Sequence, residues 1–176
     1  MNRNYNALIL KSVKITAGAI LAILFASCLN LKYSATAGII TILSIQNTKK
    51  ETIQTALARG EAFCCALLVS FLCYNFFGYT TAAFGIYLLV FTTLCLAMKW
   101  SSAIAMDSVL ITHFLAEKIM NIPMIANEIS LFLIGAVIVV LLNLSLRPKE
   151  NEWKDKMAEA DESIRSIIKR MAESRI

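Results

Sequence analysis

The stretch Trp100 to Glu117, WSSAIAMDSVLITHFLAE, decides how the rest of the chain is read. It is apolar enough to enter a bilayer, yet it carries Asp107 and the only histidine of the chain, His113. An ionisable group at bilayer depth is costly, so such residues face a bundle interior, a partner or a water-filled path rather than lipid. This segment is the expected working helix, and the other apolar segments are its housing.

Composition agrees with that reading. Of 176 residues, 58% are hydrophobic and 16% charged, and the mean hydropathy is +0.67. Soluble domains are less apolar and more charged. The apolar residues also fall in blocks long enough to span a membrane. A net charge of +5 would point to nucleic acid in a soluble protein, but here the basic residues flank apolar blocks, which is the pattern of membrane orientation. The cysteines (Cys28, Cys64, Cys65, Cys73, Cys95) all lie inside apolar blocks and read as small buried hydrophobes. The N-terminus has no small-residue cleavage pattern, so the first apolar block reads as a retained span.

Six segments follow: Ile15–Leu31, Tyr33–Ile45, Ala62–Phe77, Thr80–Met98, Trp100–Ala116 and Ile129–Leu146. The second is short, because roughly 13 residues rise only about 20 Å as a helix against about 30 Å of hydrocarbon. With the N-terminus inside, every Lys and Arg except Lys32 and Lys118 falls on the cytoplasmic side. The positive-inside rule then places both termini in the cytoplasm. Thr48-Lys49-Lys50-Glu51 has the form of a capping box, and a helix starting there would run through Arg59 into the third span.

The two halves loosely echo each other. Ser34-Ala35-Thr36-Ala37-Gly38 and Ser101-Ser102-Ala103-Ile104-Ala105 each sit in the middle span of a three-span group and are rich in small residues. Three spans per group would oppose the halves as a 3+3 inverted repeat. After Arg147-Pro148 the character changes. Trp153, Met157, Ala160, Ile164, Ile167 and Met171 form a short heptad seam among charged residues. That reads as a membrane domain over residues 1–148 and a cytoplasmic amphipathic helix over 149–176, which packs on a neighbour, another subunit or the membrane surface.

The run SATAGIITILSIQNTKKETIQTALAR (Ser34–Arg59) resembles a signature of the bacterial aromatic acid exporter family, within the fusaric-acid-resistance-like group. Lys99–Glu117 and NEISLFLIGAVIVVLLNL (Asn127–Leu144) resemble it too. The residues that carry the resemblance are Ser44-Ile45-Gln46, Thr48-Lys49-Lys50, Arg59, His113, Asn127-Glu128, Gly135 and Asn143. It implies an all-α, six-span domain in the bacterial inner membrane that exports aromatic carboxylic acids. Members of the family are commonly longer, with a cytoplasmic domain after the sixth span.

The candidate pathway residues follow. His113 is a proton or substrate relay, aided by Glu117 one turn away on the same helix face and by Glu128 at the start of the sixth span. Imidazoles change charge near neutral pH, which suits proton-coupled transport; the alternative is a histidine that fixes interhelical packing. Asp107 is about 240° around the helix from His113 and meets a different neighbour. It either carries protons or bonds a hydroxyl such as Ser101, Ser102 or Thr41. Gln46, Asn47 and Arg59 sit at the cytoplasmic mouth, where Arg59 could bind a carboxylate bidentately or serve as a positive-inside anchor. Asn127 and Asn143 are expected to bond across helices.

No metal site is expected, since no third ligand joins His113 and Glu117. No phosphate loop or nucleophile elbow is present, so neither a cofactor nor an enzyme is indicated. Two function classes remain. One is an oligomeric exporter moving small organic anions outward in exchange with protons. The other is a membrane scaffold or assembly subunit acting through the C-terminal helix.

Overall fold

The computed structural model describes residues 2–45, 49–145, 157–158 and 160–167. Among them all regular structure is helical. The first unit, up to Ser145, holds α1 (Asn2–Cys28), α2 (Ala35–Ser44), α3 (Lys49–Phe77), α4 (Thr81–Ala97), α5 (Ile104–Glu117) and α6 (Ile122–Ser145). Six apolar segments become six helices, with shifted ends.

Local chemistry accounts for the shifts. α1 stops three residues before the expected Leu31, because Asn30 takes a left-handed conformation (φ 52) and the Leu31 amide turns back to the Ala26 carbonyl at 3.1 Å. α6 opens at Ile122 rather than Ile129. The Asn121 side chain accepts a hydrogen bond from the Met124 amide at 3.0 Å, and Pro123 sits in the first turn. α5 begins four residues later than expected, after the turn at Ser101–Ala103, and Lys118 ends it in a left-handed conformation. α3 is one unbroken helix from Lys49 through Arg59 to Phe77, closed by Gly78 at φ 69. Gln46, Asn47, Thr48 and Pro148, and with them the capping box and the helix start after Arg147, lie outside the described residues.

The two short helices are central. α2 packs between α1 and α6, and α5 packs between α3 and α4, while α2 and α5 also touch. Glycines permit the closest approach. A methyl group at Gly38 would stand 3.0 Å from the Ala19 carbonyl of α1, and one at Gly135 of α6 would stand 3.0 Å from the Ala37 carbonyl of α2. Helices that associate inside lipid use small residues in this way.

The core has two parts. One joins α3, α4, α5 and the first turn of α6 around Tyr87, Phe91 and Phe114, and the other joins α1, α2, α3, α5 and α6 around Ile40, Leu110 and Leu131. Two helices, Glu51–Phe77 and Ile122–Leu142, are long and apolar enough to cross a membrane, and only 33% of the apolar window of each is buried. The enclosed core helix of a soluble protein would be mostly buried, so this apolar surface needs a non-aqueous neighbour. Ser12–Cys28, α2 and α4 are apolar but shorter.

In the second unit, residues 160–167 are helical and exposed, with Arg165 paired to Asp161 at 3.1 Å and Ile164 and Ile167 uncovered. Trp153 and Met171 of the heptad seam lie outside the described residues.

Candidate functional site

α5 is kept short by Lys118, and α6 is extended backward by the Asn121 cap. Together these two local choices bring the end of one helix and the second turn of the other to the α1–α2 connection, Leu29–Ser34.

There His113 Nδ1 lies 2.7 Å from Glu128 Oε2, both side chains buried. The other ring nitrogen, Nε2, is 3.4 Å from the Thr36 hydroxyl of α2. Tyr33, held at φ 59, lays its ring over the imidazole, with centroids 4.0 Å apart and planes 3° from parallel. Its hydroxyl donates to Glu117 Oε1 at 3.2 Å, and Lys32 Nζ donates to Glu117 Oε2 at 3.0 Å. Asn127 binds the connection by both ends of its amide. Oδ1 accepts from the Lys32 amide at 2.8 Å, while Nδ2 donates to the Lys32 carbonyl at 3.1 Å and to Glu128 Oε1 at 3.0 Å. One continuous hydrogen-bonded network results.

The electrostatics follow the bonds. Its bond to Lys32, the largest effect, holds the Glu117 carboxyl below the ordinary carboxylate range, opposed by burial and helped by the Tyr33 hydroxyl. Burial and the bond to Glu117 push the Tyr33 phenol up. The imidazole–carboxylate pair can keep a proton on either partner without breaking the contact, and Thr36 can donate to or accept from Nε2 accordingly. Such an arrangement can store and pass a proton between a buried position and the α1–α2 connection.

Four of the candidate residues are therefore brought together: His113, Glu117, Glu128 and Asn127. Of the two carboxylates expected to aid His113, Glu128 pairs with it, whereas Glu117 turns to Lys32 and Tyr33. Lys32, Tyr33 and Thr36 were missed. The signal for Lys32 is its exceptional place among basic residues, alone with Lys118 in the loops that the positive-inside reading puts outside.

Arg59 and Asp107 form a second group, near the other end of α2 and α5. Arg59 is buried, only 4% exposed. Its guanidinium donates to the Ser44 hydroxyl and to the Leu43 carbonyl, at 3.0 Å for the latter, and touches Met106 Sδ at 3.8 Å. It thereby ties α3 to the carbonyl end of α2, where a cation is favoured. Asp107 is fully buried with neither oxygen bonded among the described residues, so the alternative of a bond to Ser101, Ser102 or Thr41 is not realised. Thr41 instead bonds the Ala37 carbonyl at 2.9 Å. Gln46 and the side chain of Asn143 lie outside the described residues.

Buried ionisable side chains in a helical bundle whose two long helices keep apolar outer faces fit a membrane protein. The chain matches the family model described as aromatic acid exporter family member 1 over residues 7–146, and it belongs to that family. The family is transporter-like rather than enzymatic. A similar protein is the uncharacterized protein YqjA of Bacillus subtilis (strain 168), 35% identical over 134 residues, which cover 76% of this chain and 42% of that protein. The chain thus spans under half the length of that relative. No solved structure matches it.

Proposed function

We propose that the chain is the six-span membrane part of an exporter of small aromatic carboxylic acids, with a proton-linked path bordered by α2 and α5. The observation that carries this reading is the buried His113–Glu128 contact at 2.7 Å. Two titratable groups inside an apolar bundle are costly, and proton transfer is a function that such a pair serves better than packing does.

Family membership and the exposed apolar faces support placement in the bacterial inner membrane. The distribution of Lys and Arg supports both termini in the cytoplasm. The neighbour pattern supports a 3+3 inverted repeat: α1 rests on α2 and α6 as α4 rests on α5 and α3. A bundle this small encloses little space, which favours a homo-oligomer. Lipid and the organic anion are the partners, and no nucleic acid is involved.

The test is flux. Purified full-length chain in liposomes should move aromatic acids in response to an imposed pH gradient, and His113→Gln and Glu128→Gln should stop the pH response. Gradient-independent flux, equal in both variants, would refute the reading.

The scaffold alternative is favoured by one observation, the uncovered Ile164 and Ile167 of the C-terminal helix. Deleting residues 149–176 separates the two: a scaffold loses its partner, whereas an exporter keeps flux.

A further inference from the structure

Arg59 presents a physical problem in its present setting. The guanidinium is always charged and is buried, yet its partners among the described residues are all neutral: the Ser44 hydroxyl, the Leu43 carbonyl and the Met106 sulfur. Its Nε bonds nothing. Asp107 stands next to Met106 in sequence, fully buried, with both carboxylate oxygens unbonded. The two side chains feel each other's charge without a hydrogen bond between them. A buried cation without an anion and a buried carboxylate without a donor are each costly. Both sit in one neighbourhood.

Two arrangements remove both costs. In one, Asp107 is ionised and Arg59 turns from α2 to pair with it. In the other, Asp107 carries a proton, and a carboxylate from outside takes the guanidinium in the bidentate geometry that suits it. We propose that Arg59 is the anion-binding group of a buried carboxylate subsite in which the ligand carboxylate and ionised Asp107 are alternative counter-ions.

The consequence is a sign of coupling. Binding the anion draws a proton onto Asp107, and by reciprocity a proton on Asp107 strengthens anion binding. Proton and carboxylate are taken up together, as a neutral acid, in place of the exchange expected from the sequence. Other groups around Asp107 do not substitute for Arg59. α4 presents Tyr87 and Cys95, neither of them a cation. Tyr74 of α3 bonds the Ile111 carbonyl, α2 contains no charged residue, and the sole charge of α6, Glu128, is held by His113.

The ligand class rests on the exporter reading above, whereas the Arg59–Asp107 exchange does not. Calorimetry of full-length protein in lipid nanodiscs, with benzoate as the probe and two buffers of different ionisation enthalpy, reads the protons moved. At a pH where Asp107 is ionised before binding, wild type is expected to take up about one proton per benzoate bound. Asp107→Asn should bind with no proton uptake and an affinity that no longer depends on pH, and Arg59→Gln should lose binding. Proton release, uptake that persists in Asp107→Asn, or wild-type affinity in Arg59→Gln would each overturn the subsite, as would a wild type that binds no benzoate.

A ligand-free infrared measurement then judges the exchange alone. An alkaline step should remove a carboxylic-acid C=O band and shift guanidinium bands in wild type, and do neither in Asp107→Asn. Guanidinium bands that stay fixed in wild type would overturn the exchange. Binding with proton uptake but no flux in liposomes would instead refute the exporter reading and leave the subsite standing.

Discussion

Tyr33 roofs His113. The two rings are parallel to within 3° at a centroid separation of 4.0 Å, and the imidazole beneath is buried although the tyrosine itself is 39% exposed. Access to the histidine is therefore set by a residue in the α1–α2 connection. Because His113 is the only histidine, the N-carbethoxyimidazole absorbance formed on carbethoxylation reports on it alone. Tyr33→Ala should raise the modification rate by roughly 2- to 10-fold, the equivalent of the about 0.5–1.5 kcal/mol that an aromatic pair contributes. Tyr33→Phe should keep the slow rate, since it retains the stack and loses only the bond to Glu117. Equal rates in wild type and Tyr33→Ala would show that the ring is not a cover.

The His113–Glu128 contact separates chemistry from packing. Glu128→Gln keeps an acceptor for the imidazole and removes the titratable oxygen, so its stability should stay within about 1 kcal/mol of wild type. Glu128→Leu leaves the ring nitrogen unsatisfied in the interior and should lose about 1–3 kcal/mol. Thermal unfolding in detergent checks both values. If Gln and Leu destabilise equally, shape rather than hydrogen bonding decides at this position.

Glu117 supplies a pH test outside the spans. Its folded-state value is depressed, chiefly by the Lys32 bond. The bond therefore steadies the α1–α2 connection at pH above the ordinary carboxylate range, and that contribution is lost as pH falls through the depressed value. Titration of the Glu117 carboxyl carbon by NMR should give a value below that of a free glutamate. Lys32→Ala should move it up, and a value unchanged by that substitution would discard the pair as its cause.

How far these features were legible in the sequence differs by element. The existence of six helices followed from apolar blocks alone, since burial and lipid both select the same residues. Helix ends did not follow. The Asn121 cap and the left-handed Asn30 are side-chain and backbone choices within apolar surroundings, where hydropathy is blind. Asp107 and His113 were identifiable because ionisable residues are rare in such segments, and their divergent directions followed from helix geometry. Glu128 could be grouped with His113 as the ionisable residue that opens the sixth span, but Tyr33 and Thr36 contact the imidazole only through the return of the chain. No local spacing encodes that return. Arg59 looked like a flanking cation because sequence gives its distance from the apolar block, not the depth at which α3 continues.

Gly135 makes the last case, because it links the packing of α2 to the site. Its missing side chain allows α6 to approach α2 so closely that the Thr41 hydroxyl lies 3.5 Å from the Gly135 carbonyl. The same helix carries Glu128 two turns earlier, and α2 carries Thr36 and Ser44, which contact His113 and Arg59. A methyl group at Gly135 would meet Ile40 Cγ2 at 2.5 Å and the Ala37 carbonyl at 3.0 Å. The Ile40 side chain can be trimmed, but the carbonyl belongs to the helix and cannot yield alone. Gly135→Ala should therefore cost about 1–3 kcal/mol, the usual range for overpacking. Adding Ile40→Ala should restore only part of it, because the backbone contact stays. Thermal unfolding of the single and double variants measures both effects. Full recovery in the double variant would locate the constraint in the Ile40 side chain, and the α2–α6 spacing would then not be set by glycine.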